Sequence, residues 1–126
     1  MAELNHLIVW VRDKNESAKF LADILGVEPA APWGPFIPVR TVNGVTLDFI
    51  DSPEVRAQHY AFLVSDREFD AGLERLRKGG VPIYSHPDKS GAGEINTYYG
   101  GRGVYFEDPS GHLLELMTKP YGDAPP

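Results

Sequence analysis

An internal repeat constrains the fold of this chain more than any other feature of its sequence. Three residue pairs recur at one spacing of 53 positions (59 − 6, 66 − 13 and 79 − 26): His6 and His59, Asp13 and Asp66, Gly26 and Gly79. A fixed spacing of this kind predicts two copies of one supersecondary unit. The sequence therefore predicts one domain over 1–119, built from modules at about 1–53 and 57–119, and a flexible tail at 120–126.

A second match lies further along the two copies. The segment TLDFI at 46–50 resembles LLELM at 113–117, which places Asp48 over Glu115. This spacing is 67 positions (115 − 48), so the second copy carries 14 extra residues (67 − 53). We expect these residues to lie in the glycine-rich stretch 85–103.

Hydrophobic spacing predicts the same order of elements in both copies, a strand followed by a helix and further strands. In the first copy the predicted elements are a strand at 4–11, a helix at 14–25 and strands at 36–42 and 45–51. In the second copy they are a strand at 59–64, a helix at 66–78 and strands at 81–84, 98–107 and 112–118. This pattern predicts an α+β fold.

Local signals mark the ends of these elements. Asp13, with Glu16 three residues later, predicts the start of the first helix, and Gly26 predicts its end. Between the two strands that follow, Asn43-Gly44 predicts a type I′ turn.

Composition and charge exclude several classes of function. The 126 residues carry 18 Asp and Glu against 12 Lys and Arg, a net charge of −6, whereas nucleic-acid binding needs a basic surface. No apolar run approaches the roughly 20 residues that cross a bilayer, and no basic region precedes the first apolar stretch as in a secretory signal. We therefore expect a cytoplasmic protein with no nucleic-acid and no membrane partner.

Strand alternation places four polar side chains on the surface away from the helices. His6 and His59 point away from the helix-facing residues of their strands, and Asp48 and Glu115 do the same on theirs. Such groups are costly beside apolar residues unless they are paired, protonated or bound to a cation. The chain has no cysteine, and two imidazoles with one carboxylate are a common ligand set for a divalent metal. The pattern therefore predicts a metal site.

Three segments carry a resemblance to a known family: LNHLIVWV with His6, QHYAFLVSD with His59, and GRGVYFEDPSGHLLEL with Glu115. In these segments the sequence resembles the vicinal oxygen chelate superfamily, which includes glyoxalases, bleomycin-resistance proteins and extradiol dioxygenases. The resemblance covers residues 4–118. It implies two βαβββ modules that form an open, U-shaped mixed sheet around a cavity.

The resemblance also implies a metal-dependent enzyme. Its metal ligands fall on His6, His59 and Glu115, with Asp48 as a possible fourth, and they would hold one divalent ion such as Fe, Mn, Ni, Zn or Co. The implied substrate is a small molecule that binds the metal through vicinal oxygens. In similar short members the chain forms a homodimer, in which the first-strand histidine of one subunit joins the histidine and glutamate of the other.

The reaction stays open at this point. The motifs look similar to fosfomycin-resistance thiol transferases, in which a tyrosine at the position of Tyr105 reaches the substrate, but Val9 and the stretch SHPDKSGAGEINTYYGG depart from them. Dioxygenase and lyase chemistry suit the same ligands. The alternative is a metal-free protein of the bleomycin-resistance type that sequesters an antibiotic or another small molecule.

Three residues near the predicted site are candidates for contact with the substrate. Tyr105 is the candidate catalytic residue, because its hydroxyl can donate a hydrogen bond to a substrate oxygen. Trp10 is a candidate for an aromatic pocket wall, and Arg102 for binding a substrate anion, although an arginine between two glycines also suits a surface loop.

Overall fold

The computed structural model describes residues 1–122, and residues 123–126 of the predicted tail lie outside the described residues. The chain divides into two compact units, Met1–Arg56 and a second that begins at Ala57. Each unit holds one α-helix and one small sheet with both parallel and antiparallel pairs. The predicted α+β class with mixed sheets is confirmed.

The first unit consists of strand β1 (His6–Val11), helix α1 (Lys14–Leu25), strand β2 (Ile37–Arg40) and strand β3 (Thr46–Asp51). β3 lies in the middle of the sheet, parallel to β1 and antiparallel to β2. Ahead of β2 the Ala30 N–H donates a hydrogen bond to the Pro38 carbonyl, but no strand forms there in the first unit. The first unit therefore has one strand fewer than the βαβββ module that the resemblance implies.

Helix α1 has the predicted bounds because its two ends are fixed locally. The Asp13 carboxylate accepts hydrogen bonds from the backbone N–H groups of Asn15 and Glu16, and Gly26 ends the helix in the left-handed region at φ 73°. The predicted type I′ turn is wrong, since that turn needs positive φ at two residues. In the turn that forms, Gly44 has φ 84°, whereas Asn43 has no positive φ, and the Gly44 N–H bonds to the Thr41 carbonyl.

The second unit consists of strand β4 (His59–Leu63), helix α2 (Asp66–Lys78) and strands β5 (Ile83–Tyr84), β6 (Gly103–Glu107) and β7 (Leu113–Met117). The sheet order is β4-β7-β6-β5, with β7 parallel to β4 and antiparallel to β6. All the elements of the predicted module are present in this unit.

Helix α2 begins with a reciprocal cap and packs an apolar stripe on the sheet. The Ser65 hydroxyl accepts from the Glu68 N–H, and the Glu68 carboxylate accepts from the Ser65 N–H. The buried residues Phe69, Leu73 and Leu76 recur at intervals of four and three positions, which places them on one face of the helix.

The segment ahead of β6 differs from its prediction. Where the sequence predicts strand from residue 98, a 3-10 turn spans Tyr98–Gly100, and Tyr99 has φ 55°. The Asn96 side chain donates to the Ser85 carbonyl, and Asn96 forms an isolated β-bridge with Gly103. β6 therefore begins only at Gly103.

The two units repeat the same strand register around their acidic residues. Ile8 of β1 faces Asp48 of β3, and Ala61 of β4 faces Glu115 of β7, both in parallel pairs. Each residue that faces a carboxylate lies two positions after a histidine, His6 or His59. The sequence repeat is therefore also a repeat of backbone geometry.

The acidic side chains of the two units differ in length, and Asp48 is the shorter by one methylene. Asp48 is 4% exposed, and its Oδ1 has no hydrogen-bond partner among the residues that the structure describes. A buried carboxylate oxygen without a partner lowers stability.

We predict that Asp48→Asn raises the free energy of unfolding of the metal-free protein at pH 7 by about 1 kcal/mol, because it removes the buried charge. Urea unfolding in the presence of a chelator measures the change. The matched control is Asp51→Asn on the same strand. Asp51 is exposed and its Oδ1 already accepts from the Lys14 N–H at 2.8 Å, so removal of its charge gives no gain in stability. Equal destabilisation by the two substitutions would contradict this account of Asp48.

Candidate metal centre

His59, at the start of β4, is held in a defined orientation by the neighbouring strand. Its Nδ1 lies 3.0 Å from the carbonyl oxygen of Leu113 on β7. Because a carbonyl only accepts hydrogen bonds, Nδ1 must carry a hydrogen. In the neutral imidazole Nε2 is then the atom with the free lone pair, and it is the atom available to a metal.

That lone pair faces a buried carboxylate. Nε2 of His59 lies 3.1 Å from Oε1 of Glu115, which is 1% exposed, while the His59 side chain is 45% exposed. Two hydrogen-bond acceptors this close together repel each other unless a positive charge lies between them. That charge is supplied either by a second proton on the imidazole or by a cation bound to both atoms. The pair is therefore suited to hold a metal ion at an edge that solvent can reach.

Tyr105 lies beside this pair because of the sheet register. It faces Glu115 across β6 and β7, and its ring lies 5.8 Å from the His59 ring, nearly parallel to it. Tyr105 is 4% exposed, and burial raises the pKa of its phenol. The hydroxyl is thus a neutral hydrogen-bond donor next to the candidate ligands.

Tyr121 also belongs to this cluster, and the sequence analysis missed it. Its hydroxyl donates to Oε2 of Glu115 and lies 2.7 Å from the Tyr105 hydroxyl. Burial and the bond to Glu115 raise the pKa of Tyr121. The only signal in the sequence was one aromatic residue within a tail rich in proline and glycine, which composition assigns to flexible chain.

His6 and Asp48 occupy the corresponding positions of the first unit. His6 is exposed, and its Nδ1 lies 2.8 Å from the side-chain oxygen of Asn5, where His59 has a backbone carbonyl. Within residues 1–122 no group of three or more His, Asp or Glu side chains is arranged to hold a metal ion. The structure thus brings together His59, Glu115 and Tyr105, and the complete ligand set stays a prediction.

Arg102 and Trp10 lie in different surroundings. The Arg102 guanidinium donates to Asp70 Oδ1 at 2.6 Å and to Asp66 Oδ1 at 3.1 Å, and it lies 4.6 Å from the centre of the Phe69 ring. These bonds raise the pKa of Arg102, the bond to Asp70 first. Arg102 thus ties the start of β6 to helix α2. Trp10 is half exposed on β1.

The donor set of the second unit fits a divalent metal. An imidazole whose other nitrogen donates to a carbonyl and a carboxylate whose other oxygen accepts a hydrogen bond are the usual surroundings of metal ligands. A site made of imidazole nitrogen and carboxylate oxygen suits Zn²⁺, Fe²⁺, Mn²⁺, Co²⁺ and Ni²⁺, whereas Ca²⁺ prefers oxygen ligands alone.

The curated relatives of the chain include two transferases. The glutathione transferase FosA of Serratia marcescens is 30% identical over 123 residues, which are 92% of this chain and 80% of FosA. The metallothiol transferase FosB of Shouchella clausii is 29% identical over 122 residues, 91% of this chain and 79% of FosB.

Among solved structures the similarity is stronger. The protein named Oxidase ChaP-H2 superposes with a TM-score of 0.94 and is 53% identical, over 96% of this chain and 96% of its own.

No helix within residues 1–122 is long and apolar enough to cross a membrane.

A family model described as the Glyoxalase/Bleomycin resistance protein/Dioxygenase superfamily matches residues 3–116. The chain therefore belongs to the Glyoxalase/Bleomycin resistance protein/Dioxygenase superfamily.

Proposed function

We propose that this protein is a metal-dependent oxidase that acts on a small molecule with adjacent oxygen atoms and uses dioxygen as the electron acceptor. The observation that carries the proposal is the His59–Glu115 pair, whose Nε2 and Oε1 lie 3.1 Å apart with their other polar atoms already bonded. The choice of oxidation among the chemistries of the family is supported by 53% identity to an oxidase over 96% of the chain.

In this proposal His59 and Glu115 supply two metal ligands and His6 supplies the third. Asp48 has the same strand register as Glu115 and therefore the position of a fourth ligand, but its side chain is shorter than that of Glu115. A bound divalent ion would polarise the substrate's oxygens, and an ion that changes oxidation state, such as Fe²⁺ or Mn²⁺, would also pass electrons to dioxygen. The protein's own part is to hold the ligands. To donate a hydrogen bond to the substrate, the Tyr105 hydroxyl would have to turn its one hydrogen away from Tyr121, whose hydroxyl lies 2.7 Å away.

Trp10 and Arg102 remain proposals as substrate contacts. The exposed indole of Trp10 offers an apolar surface on the same strand as His6. For Arg102, any contact with a substrate anion has to compete with the two carboxylates that already engage the guanidinium.

Thiol transfer is the second candidate function, favoured by the 30% identity to FosA. The two reactions differ in their co-substrate, dioxygen in one and a thiol in the other. Metal-free sequestration of a small molecule is the third. The predicted ligand set of His6, His59 and Glu115 makes it the least favoured, because a binding protein has no need of those ligands.

We predict that the protein purified without chelator contains about one metal ion per chain when Fe, Mn, Ni, Zn or Co is supplied in turn. Glu115→Gln is expected to lower metal affinity at least tenfold, because it removes the negative charge and keeps the shape. Elemental analysis and competitive chelator titration measure both quantities. His86→Gln, which replaces an exposed loop histidine, is the matched control and leaves the metal content unchanged.

A folded wild-type protein that binds none of the five metals would overturn the proposal and favour sequestration. With the metal-loaded protein, dioxygen uptake in the presence of a panel of catechols supports oxidation. Loss of glutathione from solution in the presence of fosfomycin, without uptake of dioxygen, supports transfer instead.

We further propose that the protein is a homodimer in which His6 of one subunit completes the site of the other. We predict that dimers assembled from one His6→Ala chain and one Glu115→Ala chain retain one metal ion per dimer, because both substitutions then fall in the same site. Native mass spectrometry of the mixed dimer measures this. Loss of metal from every mixed dimer would argue against a shared site.

A further inference from the structure

The two oxygens of the Glu115 carboxylate have different partners. Oε1 faces Nε2 of His59 at 3.1 Å, whereas Oε2 accepts the hydrogen bond of the Tyr121 hydroxyl. Because the Glu115 side chain is 1% exposed, water does not compete for either oxygen. The rotation of this carboxylate is therefore set by the two contacts together.

A second hydroxyl fixes the first. The Tyr121 hydroxyl has one hydrogen and gives it to Glu115, so in its 2.7 Å contact with Tyr105 the Tyr105 hydroxyl is the donor. The result is a directed chain of hydrogen bonds from Tyr105 through Tyr121 to Glu115. Tyr105 itself is held in strand β6 between Val104 and Phe106, which are both fully buried.

The segment that carries Tyr121 is anchored to the sheet. The Arg102 N–H donates to the Thr118 hydroxyl at 2.8 Å, and the Thr118 N–H donates to the Arg102 carbonyl at 3.0 Å. Gly101 permits this close approach, since a Cβ there would lie 2.6 Å from Cγ of Lys119. The chain therefore passes over the start of β6 directly before Tyr121, whose ring packs 5.4 Å from the Tyr99 ring.

We propose that Tyr121 is a positioning residue of the metal centre, which binds Oε2 of Glu115 so that Oε1 stays directed at the metal position next to His59. The inference rests on the metal site proposed above. Hydrogen bonds to ligating carboxylates fix their orientation, and loss of such a partner typically lowers metal affinity 10- to 100-fold. The segment after β7, which sequence composition assigns to a flexible tail, is thus part of the site.

The test compares Tyr121→Phe with Tyr99→Phe in titrations of the whole metal-free protein with Co²⁺ alone. Both substitutions remove one hydroxyl and keep the ring, and the Tyr99 hydroxyl makes no hydrogen bond in the part of the chain that the structure describes. We expect Tyr121→Phe to weaken Co²⁺ binding at least tenfold and to shift the visible d–d spectrum, and Tyr99→Phe to do neither. Thermal unfolding shows whether each variant is folded.

A coupled change at Tyr105 gives a second measure. Because Tyr105 acts on Glu115 through Tyr121, Tyr105→Phe is expected to add little to the loss of Co²⁺ affinity once Tyr121 is Phe. A purely structural role would instead lower the unfolding temperature and leave the Co²⁺ affinity and spectrum of the folded variant unchanged, which would overturn the inference.

The outcome is distinguishable from failure of the proposed function. If the wild-type protein binds Co²⁺ and Tyr121→Phe binds it equally well, the metal site stands and the role of Tyr121 falls. If the wild-type protein binds none of Fe, Mn, Ni, Zn and Co, both fall, and if it binds one of these other than Co²⁺, the same comparison is made with that metal. In the metal-free protein, ¹⁵N NMR of the His59 ring gives an independent check, because release of Oε2 shifts its signals in Tyr121→Phe and an unchanged spectrum contradicts the positioning role.

Discussion

The hydrogen bond from Nδ1 of His59 to the Leu113 carbonyl is the interaction on which the rest of the site depends. It joins β4 to β7 at the start of their parallel pairing, and it selects the imidazole nitrogen that faces Glu115. With the opposite tautomer, Nε2 would donate to the carboxylate and the pair would form a closed contact with no lone pair for a metal. A backbone carbonyl therefore gives this histidine the protonation pattern of a ligand.

The same backbone register has different consequences in the two units because the acidic side chains differ by one methylene. Glu115 is long enough to contact both His59 and Tyr121. Asp48, at the equivalent position, keeps one buried oxygen without a partner among the described residues, and His6 contacts Asn5 instead. The repeat thus preserves the positions of four polar residues, but only the second unit forms a His–carboxylate pair by itself. Because the second unit supplies only His59 and Glu115, the proposal takes the third ligand, His6, from the other subunit.

Local signals in the sequence were sufficient for much of the fold and only for part of the site. Asp13 and Gly26 determine the ends of α1 within their own turns, so both ends were predictable. Tyr99 adopts positive φ in a turn directly before Gly100-Gly101, and the predicted strand, which ran through this turn signal, was wrong there. Strand alternation indicated that Glu115 and His59 lie on one face, but their contact and the tautomer follow from register. Tyr121 was not predictable, because its hydrogen bonds depend on tertiary structure and its segment has the composition of a loop.

The central claim is that one metal ion binds between Nε2 of His59 and Oε1 of Glu115. Anomalous diffraction from crystals grown with Co²⁺ tests it most directly. The account predicts a peak at about 2.0–2.2 Å from both atoms, with a second imidazole among the ligands. A peak at any other group of side chains, or fully occupied Co²⁺ bound without Glu115, would contradict it.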